Sequence, residues 1–376
     1  VSPSFFPMKR YPAFDPPEYL TWEADPALVT AYRERCAADP ERQAIVDALA
    51  PNDLVSLYRD LLRTRLHDIG LKRWVRTGVI SKSWLGTGEE AVTVGSVRAL
   101  DPGRDVVSPM IRNAGALHMM GMPLSDMFRG YLATSDSPSR GRDLHIGDMA
   151  KGIIQPISHM GTSVTIVAGV ALAFRNRGED RVAMTWVGDG ATKTAACHEG
   201  MNLAAVQNLP VIFVIQNNQV ALGTRADQHG AGDLHAWPAM YGIESWVCDG
   251  NNLLDVYAAT RVAADRCRSG RGPAVIVADT FRMGGHDERE ARDTFPAELF
   301  AEWGKRDPVG LFEAYLMERG LDQSVLEKVE AETTAEMNQA AEDALESRDK
   351  IPPPEQALYD GFSQGGVLHG LDVRPI

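Results

Sequence analysis

The sequence predicts an α/β protein built on a parallel sheet with helices on both faces. The prediction depends on one stretch, Arg181 to Gly223, in which two apolar runs flank a helical segment. The runs cover 181–187 and 211–215, and apolar residues recur at helical spacing over 194–208 between them. Continuous apolar strands are typical of parallel sheets buried on both faces, and the succession of strand, helix and strand forms a βαβ unit.

Polar residues follow both of these strands. Gly188-Asp189-Gly190 ends the first strand, and Gln216-Asn217-Asn218 ends the second. The carboxyl ends of parallel strands lie at one edge, which is where open α/β sheets bind ligands. Carboxylate and amide oxygens suit Mg²⁺ or Ca²⁺, and the N–H groups at the start of the following helix favour a phosphate. Each motif alone is typical of a turn, but their joint placement favours a metal-bridged diphosphate.

The same residues carry a resemblance to a known family. Gly188-Asp189-Gly190 followed by Asn217-Asn218 resembles the thiamine diphosphate motif of thiamine-dependent enzymes. The longer stretch from Gly188 to Asn218 resembles the alpha subunit of the first component of 2-oxo acid dehydrogenase complexes. This family includes pyruvate, branched-chain 2-oxo acid and acetoin dehydrogenases. The resemblance runs from about Leu54 to Gly320. It implies an N-terminal arm and first helices over 1–53, a thiamine diphosphate-binding α/β domain over 54–320, and a helical C-terminal extension and tail over 321–376.

Composition excludes several classes of protein. The 376 residues are enough for a large core, and the net charge of −13 argues against a nucleic-acid-binding surface. No apolar run approaches the roughly 20 residues of a membrane span, so we expect no membrane association. The four cysteines are scattered without paired spacing, which indicates reduced thiols in a cytoplasmic protein.

The chain begins with an arm and a helix. Residues 1–27 carry many prolines and aromatic residues, and we expect an extended arm that packs against a partner chain. Asp53 precedes an apolar helical pattern that starts at Leu54, which predicts a capped helix. Glu89 and Glu90 open a further helix, and they are either catalytic carboxylates or residues that stabilise its first turn.

A short strand over 106–109 leads to Arg112. Family members commonly carry Tyr-Arg at the positions of Ile111 and Arg112, with the arginine on the cofactor diphosphate. A guanidinium suits a phosphate bidentately, so Arg112 is a candidate ligand, and the alternative is an ordinary surface arginine. The resemblance implies a cofactor contact from that tyrosine, and Ile111 stands in its place here.

Residues 135–152 are rich in turn formers and predict a loop. His145 matches the histidine of a family motif in this loop, and it is either a proton donor or a loop histidine with a backbone partner. Ser158 and Met160 precede a predicted helix over 162–174, and they match family positions that touch the aminopyrimidine ring. Met160 would support the bent shape of the thiamine, and the alternative is a plain core residue.

Residues 242–247 resemble a further strand, and a second, apolar run over 273–278 predicts another. The second run leads to His286, which matches a catalytic histidine of the family; the alternative is a loop histidine without a role. From Leu321 onward the pattern predicts a long helix, in which Ser324 and Glu327 form a capping box. We expect this helix to serve packing or an interface rather than chemistry.

The resemblance implies oxidative decarboxylation of a short 2-oxo acid, branched-chain or pyruvate, with acyl transfer to a lipoyl group of a partner acyltransferase. Thiamine diphosphate and Mg²⁺ are the implied cofactors. Related single-chain enzymes carry a second α/β domain that supplies a carboxylate beside the pyrimidine ring. The family's alternative is a separate beta subunit, in an assembly of two alpha and two beta chains.

Site residues follow from the same resemblance. Asp189, Asn218 and the backbone carbonyl of Val220 would hold Mg²⁺. Catalytic candidates are His286 and His145. The residues expected at the cofactor are Arg112, Ser158, Met160, Gly188, Asp189, Gly190, Ala191, Asn218, Val220 and His286. Gln216 is a weaker candidate, because relatives vary at its position.

Two other functions stay open at this point. One is a different thiamine enzyme, such as an acetoin-cleaving enzyme or another carbon–carbon lyase or transferase. The other is a non-catalytic regulatory chain with the same fold, against which the intact metal motif argues. Part of the substrate pocket would lie on the partner chain, so this chain alone does not define the oxo acid.

Overall fold

A five-stranded parallel sheet organises the chain, whose computed structural model describes residues 23–288 and 297–355. The strands are β1 (Val106–Ser108), β2 (Ala183–Gly188), β3 (Val211–Asn217), β4 (Val220–Ala221), β5 (Thr224–Arg225), β6 (Glu244–Asp249) and β7 (Ala274–Asp279). The sheet has the order β1-β2-β3-β7-β6 with all neighbours parallel, and β4 and β5 form a separate antiparallel pair. The predicted α/β class and parallel sheet are confirmed.

Helices surround the sheet. In the described ranges they are α1 (Pro26–Glu34), α2 (Pro40–Asp47), α3 (Pro51–Arg76), α4 (Glu90–Arg98), α5 (Gly115–Met119), α6 (Leu124–Leu132), α7 (Thr162–Arg177), α8 (Ala195–Val206), α9 (Ala226–His229), α10 (Leu253–Arg268), α11 (Ala297–Gly304), α12 (Pro308–Glu318) and α13 (Gln323–Glu346). None of these helices is long and apolar enough to cross a membrane.

Side chains of the central strands alternate between two buried layers. Along β2, Met184 and Trp186 pack in the layer with α10, whereas Ala183 and Val187 pack in the layer with α7 and α8. Trp186 also donates from Nε1 to the Ser96 hydroxyl on α4 over 3.0 Å. The strand residues are apolar on both faces because both faces are covered, which is the reason for their continuous apolar runs.

A third core lies away from the sheet, among α3, α12 and α13. Arg65 of α3 is fully buried there and bridges two carboxylates, donating to Glu90 and, over 2.8 Å from Nη2, to Asp307 Oδ1. The long helix predicted from Leu321 onward is present as α13, which buries a stripe that includes Leu326 and Met337.

The helix starts differ from the predicted ones. Helix α3 begins at Pro51 rather than Leu54, and Asp53 lies inside it, where its Oδ2 accepts from the Ala50 N–H over 3.1 Å. Proline is favoured at the first helical position because its missing N–H has no helical partner there. The capping box at Ser324 was wrong, since Asp322 caps α13 and accepts from the Ser324 N–H over 2.9 Å.

The expected N-terminal arm overlaps α1, which already begins at Pro26. The arm's residues 1–22 and the tail's residues 356–376 lie outside the described residues. The division into an arm, a domain over 54–320 and an extension stays a prediction.

All four cysteines are free and buried. Burial raises the pKa of Cys36, Cys197 and Cys267 to about 12 and the pKa of Cys248 well above its ordinary value. Free thiols agree with the predicted reduced state, and the cytoplasmic location stays a prediction.

The buried Arg65 bridge generates a stability prediction. Arg65→Met should lower the free energy of unfolding by about 3–5 kcal/mol, because Glu90 and Asp307 would lose the buried guanidinium that bridges them. Arg33→Met is the matched control, since it breaks the exposed pair with Glu318 and should cost less than about 1 kcal/mol. Denaturant titration measures both variants, and equally small losses would contradict the prediction.

Candidate cofactor and metal site

Strands β2 and β3 end side by side, with Gly188 paired to Gln216. Asp189 directly follows β2, and Asn218 directly follows β3. Both side chains are buried, with Asp189 2% and Asn218 4% exposed. The two polar residues predicted to share one sheet edge therefore lie on neighbouring strand ends.

Asp189 has a partner that the sequence analysis missed. His229 Nε2, at the end of α9, lies 3.1 Å from Asp189 Oδ2. Burial is the main influence on Asp189 and raises its pKa, while the nearby His229 opposes the shift. A four-residue helix leaves no periodic pattern in the sequence, so nothing there singled out this histidine.

A chain of amide hydrogen bonds holds Asn218. Its Nδ2 donates to Glu89 Oε1 over 2.9 Å, and Gln216 Nε2 donates to the same oxygen over 3.0 Å. Gln216 Oε1 in turn accepts from Asn113 Nδ2 over 2.8 Å. The oxygen of Asn218 therefore faces away from Glu89, and its contact with the Val220 N–H is long, at 3.5 Å.

The two carboxylates at the start of α4 have different partners. Glu90 accepts from Arg65 and, over 2.8 Å, from the Gly88 N–H, so it belongs to the core. Glu89 is 1% exposed and faces the strand ends through its amide partners. Burial raises the pKa of Glu89 despite nearby guanidinium groups. Glu89 thus lies beside the candidate metal site, through contacts that the sequence did not reveal.

Arg112 lies near this carboxylate and lowers its pKa. Arg112 is 8% exposed, and its Nη1 donates to the Leu85 carbonyl over 2.8 Å. A Cβ on Gly86 would lie 2.2 Å from the Arg112 carbonyl oxygen, so only glycine permits this close approach. The alternative of an ordinary surface arginine was wrong, and contact with a diphosphate stays a prediction.

The loop after β2 combines tight packing with open space. A Cβ on Gly190 would come within 2.5 Å of the Ala221 side chain, whereas no atom lies within 4 Å of a Cβ built on Gly188. Ala191 is buried, and its carbonyl accepts from the N–H of Thr194, the cap of α8. The loop therefore turns closely into α8 while leaving room beside Gly188.

The donor atoms at this edge fit a hard divalent cation. Asp189 offers a buried carboxylate, and Asn218 presents its oxygen because its nitrogen is held by Glu89. Val220 is buried in β4, and the role of its carbonyl as a third ligand stays a prediction. Residues 23–288 and 297–355 contain no group of three or more His, Cys, Asp or Glu placed to hold a metal. The predicted set needs no such group, because it has one carboxylate with amide and carbonyl oxygens.

His286 lies in a half-buried segment that packs along the 83–88 loop. The Met283 N–H donates to the Thr87 carbonyl and the Glu288 N–H to the Ser83 carbonyl, each over 2.9 Å. His286 lies between these two contacts. The structure therefore brings its segment to the loop that leads into Glu89, and its catalytic role stays a prediction.

His145 and Ser158 lie together. The His145 Nδ1 is 2.8 Å from Asp143 Oδ1, and its Nε2 is 3.2 Å from the Ser158 hydroxyl. Both ring nitrogens thus contact side chains, whereas the alternative of a loop histidine expected a backbone partner. His145 and Ile111 line one small cavity, which places His145 beside the segment that carries Arg112. Met160 is 61% exposed, so the alternative of a core residue was wrong.

Comparison with known proteins identifies the family. The model of the family described as "Dehydrogenase E1 component" matches residues 58–355. The chain is 33% identical over 316 residues to the 2-oxoisovalerate dehydrogenase subunit alpha of Bacillus subtilis (strain 168), which covers 82% of this chain and 95% of the relative.

Two further relatives carry a different name. The chain is 33% identical over 334 residues to the pyruvate dehydrogenase E1 component subunit alpha of Bacillus cereus, covering 85% of each chain. It is 32% identical over 312 residues to the same subunit of Staphylococcus aureus (strain Mu50), covering 79% of this chain and 80% of the relative. The chain therefore belongs to the dehydrogenase E1 component family, as a relative of the alpha subunits of 2-oxo acid dehydrogenases.

Proposed function

We propose that this chain is the cofactor-binding alpha subunit of an enzyme that oxidatively decarboxylates a short 2-oxo acid, branched-chain or pyruvate. The acyl group would pass to a lipoyl group on a partner acyltransferase. The observation that carries the proposal is the buried pair of Asp189 and Asn218 on neighbouring strand ends. Relatives named for 2-oxoisovalerate and for pyruvate are similarly distant, so both substrates stand.

The family is thiamine diphosphate-dependent. When bound, this cofactor supplies the electron sink for decarboxylation, and the protein supplies position and protonation. Asp189, Asn218 and the Val220 carbonyl would hold Mg²⁺ against the diphosphate. Arg112 uses one of its five N–H donors on Leu85, and the others suit phosphate oxygens.

Other residues of the chain would shape the rest of the cofactor site. Gly188, Gly190 and Ala191 form the close turn beside the diphosphate. Ser158 and Met160 are exposed in this chain, which suits contact with a bound ring. We propose that Met160 lies beneath the thiamine and that Ser158 contacts its aminopyrimidine.

Two histidines are the candidates for proton transfer. An imidazole titrates near neutral pH, so it can hold or release a proton without rebuilding the site. We propose that His286 acts at the reacting centre or on the diphosphate. His145 is the second candidate, and Asp143 is placed to orient its ring from the Nδ1 side.

A beta subunit completes the enzyme in this proposal. The relatives are named as alpha subunits, which supports a second kind of chain. We propose an assembly of two alpha and two beta chains, in which the beta chain contributes the carboxylate beside the pyrimidine ring. A lipoyl-bearing acyltransferase would be the further partner.

The metal assignment is tested at Asp189. Asp189→Ala should weaken Mg²⁺-dependent binding of thiamine diphosphate by more than about 10-fold, because a buried ligand is lost. Isothermal titration calorimetry measures the affinity. Asp227→Ala is the control, since it removes an exposed carboxylate from α9. If Asp189→Ala binds as tightly as this control, the metal assignment is wrong.

His286→Ala should lower turnover by about 10²-fold, the usual scale for losing a general acid or base, and keep cofactor affinity within a few-fold. Steady-state assays and calorimetry separate the two effects. His235→Ala is the control, since His235 lies 3.0 Å from Asp279 at the end of β7 and is outside the proposed machinery. Near-normal turnover of His286→Ala would return it to a loop histidine without a role.

The purified lone chain should show no decarboxylation, whereas co-expression with its beta subunit should restore it. The physical reason is that cofactor activation needs the carboxylate assigned to the beta chain. Turnover on pyruvate, branched-chain 2-oxo acids and acetoin, measured for the chain with and without its partner, also identifies the substrate. Equal rates with and without the beta subunit would refute this proposal.

A further inference from the structure

We propose that Glu89 is a positioning residue that fixes the amide of Asn218, so that the oxygen and not the nitrogen of Asn218 faces the cation. The inference rests on the proposed function and assigns a task to a carboxylate outside the predicted ligand set. It follows from the direction of the hydrogen bonds that lead to Glu89.

A backbone N–H, which can only donate, sets the direction of the hydrogen bonds in this network. The Met110 N–H donates to Asn113 Oδ1 over 3.2 Å, so the nitrogen of Asn113 points the other way. That nitrogen contacts the Thr93 hydroxyl over 2.7 Å and Gln216 Oε1 over 2.8 Å. Gln216 must then direct its own nitrogen to Glu89, as it does over 3.0 Å.

Glu89 ends the network as an acceptor. Glu89 Oε1 already accepts from the Gln216 nitrogen, so the second amide that reaches this oxygen must also present its nitrogen. An inverted Asn218 would put its oxygen against Glu89 Oε1 at a buried site. The two acceptors would repel each other there, and the hydrogen bond that the Asn218 nitrogen donates would be lost. Glu89 thereby leaves one orientation for Asn218, the one in which its oxygen is available to a metal.

A second observation supports a link between Glu89 and a cation. Glu89 is 1% exposed, its Oε2 has no hydrogen-bond partner, and it has no ion pair within the part of the chain that the structure describes. Its neighbour Glu90 is equally buried but is paired with Arg65. Nearby guanidinium groups favour the charged form of Glu89 without forming an ion pair with it, and a divalent cation at the adjacent Asn218 would further offset the cost of its burial.

The test measures cation affinity without turnover. The chain is co-purified with its beta subunit, thiamine diphosphate is kept saturating, and bound Mn²⁺ is counted by electron paramagnetic resonance. Glu89→Ala should weaken Mn²⁺ binding by about 10- to 100-fold, the usual range for losing a group that orients a metal ligand. Glu89→Gln should weaken it less, because the isosteric amide oxygen can still accept from Asn218. Glu199→Ala, which removes an exposed carboxylate on α8, should change it little.

A double-mutant cycle separates positioning from a general effect. If Glu89 acts through Asn218, Glu89→Ala should cost nothing further in an Asn218→Ala background. If the fold-losses in Mn²⁺ affinity of the two single variants multiply in the double variant, Glu89 acts independently of Asn218. That result overturns the inference. Melting temperatures identify any variant that fails to fold. If Glu89→Ala fails to fold, Glu89→Gln takes its place in the cycle with Asn218→Ala, and independent losses again overturn the inference.

The two proposals fail in different ways. Wild-type protein that binds neither Mn²⁺ nor thiamine diphosphate would contradict the proposed function, and this inference with it. Wild-type binding that is unchanged in both Glu89 variants would contradict the inference alone. If the single variants bind Mn²⁺ more weakly and the double variant loses nothing further, both proposals are supported.

Discussion

The parallel pairing of β2 with β3 is the constraint on which the candidate site depends. Because Gly188 and Gln216 are in register, Asp189 and Asn218 leave the sheet at the same edge. A slip by one residue would exchange the two faces of β2 and put Trp186 where smaller side chains now pack. The shape of the two buried layers therefore also places the donor atoms of the site.

Around those strand ends, three loop segments are joined by hydrogen bonds to backbone carbonyl groups of the 83–88 loop. Arg112 donates to the Leu85 carbonyl, and the segment before His286 is bound at Thr87. Asp68 of α3 holds the same loop, since it accepts from the Gly86 N–H and from the Thr87 hydroxyl, each over 2.9 Å. The site is thus supported by the helical core as well as by the sheet.

The periodic parts of the fold were predictable, and the contacts between distant segments were not. Continuous apolar runs predicted β2, β3 and β7, and the motif at Asp189 predicted the polar edge. The pairing of His229 with Asp189 and of Glu89 with Asn218 joins residues 40 and 129 positions apart, which no local pattern encodes. Cap positions were missed for another reason: Asp322 and Ser324 are both good caps, and only the backbone geometry decides between them.

The buried thiols have a practical consequence, because each core layer carries its own. Cys36 belongs to the helical core, Cys197 to the layer with α7 and α8, and Cys248 and Cys267 to the layer with α10. A thiol reacts as its thiolate, so these four should resist alkylating reagents while the fold is intact. Under partial denaturation, the order in which they become labelled would report which layer opens first, with no engineered probe.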